Sequence, residues 1–131
     1  MRHRKTLPLP LIKADRGKSK LKSSSHYVIV WEFRVRPGKE KDFVEKYDPR
    51  GIWVQFFLRG QGYIRTELVR DVAGPQRFLT LDYWRSEDEF TTFREQNLAE
   101  YERMDKEFAG LTEQETRLGA FWQDSKAKSR S

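Results

Sequence analysis

The chain has 131 residues, with 26 Lys/Arg against 20 Asp/Glu, two histidines and no cysteine. That length allows one domain with a single core. The missing cysteine excludes disulfides, thiolate nucleophiles and Cys-based metal sites.

The formal charge of +6 belongs to the ends of the chain. Residues 1–25 hold eight Lys/Arg and one Asp, and residues 123–131 hold three and one. Residues 26–122 hold 15 basic against 18 acidic residues and are net acidic, so a basic binding face on the central stretch is not expected. Residues 1–25 read as a basic flexible extension and 123–131 as a basic C-terminal tail, with a domain between them. The only apolar run of the extension, Leu7 to Ile12, is broken by Pro8 and Pro10 and is too short for a signal-peptide core. Its basic, Ser-rich composition also resembles a transit peptide faintly, but a solvated extension is the preferred reading. No 18-residue apolar run exists, so no transmembrane helix and a cytoplasmic location are expected.

In chain order, His26 to Val35 is rich in β-branched and aromatic residues and reads as a strand. Tyr27, Ile29, Trp31, Phe33 and Val35 share one face, with Val28 and Val30 on the other. Pro37-Gly38 ends it. Lys39 to Tyr47 reads as a helix with Phe43, Val44 and Tyr47 on one side, broken by Asp48-Pro49-Arg50-Gly51. A short, very apolar helix follows over Ile52 to Leu58, stopped by Gly60 and Gly62. Tyr63 to Arg70 and Arg77 to Trp84 read as a hairpin joined by Asp71 to Gln76. Ser86 is a suitable N-cap for a helix that opens with Glu87, Asp88 and Glu89. Apolar residues then recur at helical spacing to Leu111, with Asn97 as a candidate break. Thr112-x-x-Glu115 matches a capping box and predicts one more short helix. Leu118 to Trp122 supplies the last strand.

The order β-α-β-β-α-β predicts an α+β, ferredoxin-like, four-stranded antiparallel sheet with helices on one face. The other face still carries Val28, Val30, Leu79, Leu81 and Tyr83. Leaving that area wet is costly, so a second copy is expected to cover it and the protein to be a homodimer.

Several short motifs resemble the antibiotic-biosynthesis monooxygenase (ABM-like) family, whose domains pair as dimeric α+β barrels. They are Trp31-Glu-Phe-Arg-Val-Arg-Pro-Gly38, Gly51-Ile-Trp53, Gly62-Tyr63 with Thr66-Glu-Leu68, Thr80-Leu-Asp-Tyr-Trp84 with Ser86, Tyr101 with Met104-Asp105, and Leu111-Thr112 with Glu115 and Gly119. They run through nearly all of 26–122. The resemblance implies oxidation of polycyclic aromatic compounds by molecular oxygen without a cofactor, as some members do; others degrade haem, and many have no known reaction. In haem-degrading members the Trp ending the third strand is followed, on the next helix, by an axial histidine. Trp84 matches, but the corresponding position is near Phe93 and that helix carries no histidine. With only His3 in the extension and His26 at the first strand's entrance, haem degradation by that route is disfavoured, and no metal site is expected.

Asp82 is the candidate general base. By alternation it shares a face with Phe78, Thr80 and Trp84, where lost hydration would raise its pKa. The plainer alternative is a cross-strand pair with an arginine such as Arg34 or Arg65. Tyr63 and Tyr101 offer hydroxyls that could orient or protonate a ligand. Trp31, Trp53, Phe57, Trp84 and Phe93 could wall a flat substrate, and Thr66 and Thr80 could donate to its oxygen, although aromatics at strand and helix spacing serve more often as core. The acidic run Glu87-Asp88-Glu89 reads as helix-start electrostatics.

The reading is therefore a cofactor-independent monooxygenase acting on a hydroxylated aromatic small molecule. The competing reading is a non-catalytic dimeric module binding a small aromatic or a partner protein. RNA-recognition domains share this topology, but the third strand here, Arg77-Phe-Leu-Thr-Leu-Asp-Tyr-Trp84, lacks their glycine and carries an acid. Nucleic acid is expected to be touched only non-specifically, through the basic ends.

Overall fold

A computed structural model of the chain describes residues 25–124. The expected extension and C-terminal tail therefore lie, but for their inner ends, outside the described residues. The elements run β1 (His26–Val35), α1 (Glu40–Tyr47), α2 (Ile52–Phe57), β2 (Tyr63–Arg70), β3 (Arg77–Trp84), α3 (Glu87–Gln96), α4 (Leu98–Phe108), a 3-10 turn (Ala109–Leu111) and β4 (Thr112–Gln123). The four strands form one sheet in the order β2-β3-β1-β4, with every neighbouring pair antiparallel. This is the expected α+β ferredoxin-like arrangement. Among the described residues no helix is long and apolar enough to cross a membrane.

Local chemistry explains most boundaries. Asp71 closes the hairpin: its carboxylate accepts from the Ala73 backbone N–H at 2.8 Å and meets Arg77 at 3.2 Å. Ser86 caps α3 by accepting from the Glu89 N–H at 3.1 Å, and three acids occupy that helix's first turn. Asn97 breaks the long helical stretch as expected, its side-chain amide donating to the Phe93 carbonyl at 2.8 Å.

One expectation is overturned. Thr112 and Glu115 do not open a helix. Their side chains do meet, at 2.8 Å, but both lie in β4, which pairs with β1 from Thr112 opposite Val35 to Gln123 opposite His26. The last strand thus begins six residues before the expected Leu118. A ladder along the whole of β1 outweighs the local capping preference, which offered no comparable set of backbone bonds.

The core lies between the sheet and the helices. Tyr27, Ile29, Trp31, Phe33 and Val35 all point into it and are buried, as alternation predicts. They meet Phe43 and Tyr47 of α1, Trp53, Phe56 and Phe57 of α2, Phe90 and Phe93 of α3, and Tyr101, Met104 and Phe108 of α4. The packing is dominated by rings: Phe43 stacks on Tyr47 at 4.2 Å between centroids, and Phe56 meets Phe93 edge-on at 4.9 Å.

No helix among the described residues covers the opposite face of the sheet. Val28 and Tyr83 are buried there by their neighbours, Val30, Leu79 and Leu81 are half-buried, and Val69 and Phe121 are 45% and 51% exposed. Arg65 lies over the Tyr83 ring at 3.8 Å, and the Tyr83 hydroxyl donates to Glu67 at 3.0 Å.

Candidate active site

Register decides what the sheet presents to the helices. Thr66 of β2 stands directly opposite Asp82 of β3, and Ile29 of β1 is opposite Asp82 on its other side. One step along, Thr80 faces Leu68 and Trp31. Two threonines and an aspartate thus occupy adjoining positions on the inner face of a sheet that is otherwise apolar there. All three are buried, at 6%, 5% and 9% exposure for Thr66, Thr80 and Asp82. Strand alternation puts Arg34 and Arg65 on the other face, so the arginine partner considered for Asp82 is not supplied by either. Thr66 Oγ1 donates to Asp82 Oδ1 at 2.6 Å instead.

Tyr63 joins this group through an irregularity. The β2–β3 register shifts between Tyr63 and Arg65, so Ile64 is the extra residue of a bulge. Plain alternation would put Tyr63 and Thr66 on opposite faces. The bulge turns both inward, and their hydroxyls meet at 2.7 Å. Burial pushes the Tyr63 phenol up to about 12, with the Asp82 charge adding to the rise and the Thr66 bond opposing it.

Above Thr66, Thr80 and Asp82 lies a cavity of about 20 Å³, walled by Trp31, Phe33, Tyr47, Trp53, Phe57 and Tyr101. That is room for one or two waters. Of the residues singled out in the sequence, Asp82, Thr66, Thr80, Trp31, Trp53, Phe57 and Tyr101 are brought together around this one space. Tyr63 is one hydrogen bond removed. Trp84 and Phe93 do not line it: Trp84 is fully buried beside it among Tyr63, Phe90 and Phe93, with ring centroids 5.3 to 5.4 Å apart. Its indole N–H makes no hydrogen bond among the described residues.

Sequence reasoning missed Phe33 and Tyr47 as wall residues. Both were visible as inward-facing aromatics, but which aromatics border the gap depends on how the helices cross the sheet. Two larger clefts, about 190 Å³ between α2 and α4 and about 270 Å³ beside β4, are shallow surface features without a buried carboxylate. Among the described residues no cluster of His, Asp and Glu gathers at metal-binding spacing.

Comparison with known proteins decides the family. The sequence profile of the antibiotic biosynthesis monooxygenase family matches residues 26–104. The chain belongs to that family. No curated protein sequence matches it. Among solved structures, this ABM domain is similar to a conserved protein from Methanosarcina mazei Go1, at 15% identity and a TM-score of 0.61, covering 78% of this chain and 96% of that one. It is similar to a Pseudomonas aeruginosa protein at 13% identity and a TM-score of 0.56, over 77% and 94% of the two chains. It is also similar to SnoaB from Streptomyces nogalater, described as a cofactor-independent oxygenase, at 20% identity and a TM-score of 0.54, over 73% and 90%. At these identities the likeness concerns the fold, and the ABM domain's chemistry has to be argued from its own side chains.

Proposed function

We propose that this ABM-family protein is a cofactor-independent monooxygenase acting on a hydroxylated aromatic small molecule, with Asp82 as the general base. The observation that carries the reading is a buried carboxylate on the floor of an aromatic-walled cavity, hydrogen-bonded by Thr66. Removal of a phenolic proton by Asp82 would leave an electron-rich anion that reduces oxygen itself, so the substrate is the reductant and no cofactor is called for. The family match and the fold shared with SnoaB support the same chemistry. Trp31, Trp53 and Phe57 supply flat faces for an aromatic ring, Thr80 a hydroxyl beside it, and Tyr101 a phenol on the opposite wall. Trp84 and Phe93 support these walls from behind.

A fused-ring substrate does not fit into about 20 Å³. Its entry requires a wall to move, and the shortest wall element is α2, six residues between Gly51 and Gly60. The same observation favours the second reading, a non-catalytic module: a space filled by its own aromatics binds only what can displace them.

The test is oxygen uptake by the purified protein with a panel of hydroxylated polycyclic aromatics, no cofactor added, beside Asp82→Asn. Loss of one base is expected to lower the rate by roughly 10²–10⁴-fold. Uptake that survives in the mutant would remove Asp82 from the role, and a flat trace across the panel would favour the binding module.

We further propose that two copies cover each other's open sheet face. Val28, Val30, Leu79, Leu81 and Phe121 form the surface that such pairing would dry. Nucleic acid is proposed only as a weak, salt-sensitive contact of the basic residues 1–25.

A further inference from the structure

The hydroxyls of Tyr63 and Thr66 and the carboxylate of Asp82 form a chain with a fixed direction. Thr66 Oγ1 donates to Asp82 Oδ1 at 2.6 Å, so its single proton is committed. The 2.7 Å contact between Tyr63 and Thr66 must then be made by the phenol donating and the threonine oxygen accepting. The phenol is held protonated well above neutral pH, which makes it a permanent donor at this position. The chain therefore runs phenol to hydroxyl to carboxylate, and each bond polarises the next.

We propose that Thr66 and Tyr63 are positioning residues that hold the Asp82 carboxylate ionised and oriented through the Thr66 bond to Oδ1. This inference rests on the reading of Asp82 as the base and changes the role of Thr66, whose hydroxyl serves the carboxylate and not a substrate oxygen. The physical reason is desolvation. A carboxylate only 9% exposed has lost most of its water, which favours the neutral acid. A hydrogen bond donated to the charged form opposes that loss. In the proton-transfer step the substrate's O–H bond breaks, its proton bonds to the Asp82 carboxylate, and the electron pair stays on the substrate oxygen. The Thr66 proton stays on Oγ1, donated to Oδ1, throughout. The other titratable groups around the cavity are Tyr47 of α1 and Tyr101 of α4; α2 contributes only Trp53 and Phe57, and β1 only Trp31 and Phe33.

The geometry around Tyr63 has its own origin. The bulge at Ile64 follows Gly62, whose φ of +95° suits glycine alone, and the space where a Cβ would stand is occupied by Glu89. A turn of this kind delivers a phenol to a threonine three residues on, which a regular strand does not do.

The experiment follows the Asp82 carboxyl directly, by carbon NMR of the full chain labelled at aspartate side chains, using Asp82→Asn to assign the signal. It compares Thr66→Val, Thr66→Ser and Tyr63→Phe. Thr66→Val is expected to raise the midpoint by about one pH unit, a tenfold change in proton affinity. Thr66→Ser should restore the original midpoint, and Tyr63→Phe should raise it by less than Thr66→Val. Unchanged midpoints in Thr66→Val would overturn the proposal. So would a shift in Thr66→Ser equal to that in Thr66→Val, because a hydroxyl would then be irrelevant. A Tyr63→Phe midpoint equal to that of the unmodified protein would overturn the phenol's part. If oxygen uptake exists, the acid limb of its pH profile should move in the same order. Titrations that shift as expected without any uptake would leave the hydrogen-bond chain standing and the monooxygenase reading fallen.

Discussion

Asp82 and Tyr63 show how much of a residue's chemistry is set by its neighbours. Asp82 is one of 20 acidic residues in the chain, and its place on the inner face of β3 sets it apart. Tyr63 is a half-buried phenol at a strand end, and burial pushes its ionisation up to about 12. The sign follows from linkage. A phenol whose folded value lies above its unfolded value of about 10 contributes stability that is fully present below that lower value. The contribution is lost as pH rises through about 12. An absorbance titration of the phenols should therefore show one ionisation fewer near pH 12 in Tyr63→Phe than in the unmodified protein. Stability measured above the unfolded value should also fall less steeply in that variant. Tyr27 and Tyr83 are raised too, both chiefly by burial, so the comparison with the mutant is what isolates Tyr63. A Tyr63 that ionised like a free phenol would contradict its burial.

At the scale of elements, the link between turn and site can be tested at Gly62. An alanine there would have to adopt a φ of +95° and displace the Glu89 side chain. A loss of about 1–3 kcal/mol is expected from backbone strain, measured by denaturant unfolding. The same variant should shift the Tyr63 ionisation toward the ordinary phenol value, because the bulge that turns Tyr63 inward, where burial raises it, starts there. Loss of stability with an unmoved phenol would mean that the bulge is held by β3 alone. β4 gives the contrasting lesson. Its first residues look like a helix start, and Thr112 and Glu115 even make the expected side-chain contact. The decision was taken by β1, which offers a complete ladder of partners to anything lying beside it. A capping preference is worth about 1 kcal/mol, too little to oppose a ten-residue pairing.

For the whole molecule, the open sheet face is the feature with the clearest consequence. If two copies share it, a charge placed at its centre should separate them without unfolding either. Leu81 stands opposite Val30 on one side and Glu67 on the other. Leu81→Arg is expected to convert a sedimenting dimer to a monomer while the helical circular dichroism persists. A protein that sediments as a monomer at every concentration would remove the paired-face proposal.

The sequence by itself determined the elements apart from the first half of β4, the inward stripe of β1 and the antiparallel ferredoxin-like order. These depend on local propensity and on a period of two or 3.6, which neighbouring residues carry unaided. The bounds of β1, β2 and β3 and the break at Asn97 were legible for the same reason. So was the grouping of Thr80 with Asp82, two residues apart on one strand. Only the tertiary structure decided that Thr66 faces Asp82, because strand register is a relation between distant segments. It alone turned Tyr63 inward, because a bulge breaks the alternation on which the reading relied. It also decided that Trp53, Phe57 and Tyr101 border the small cavity while Trp84 and Phe93 pack behind it. Every one of these is an inward-facing aromatic, and the choice among them follows from where the helices cross the sheet.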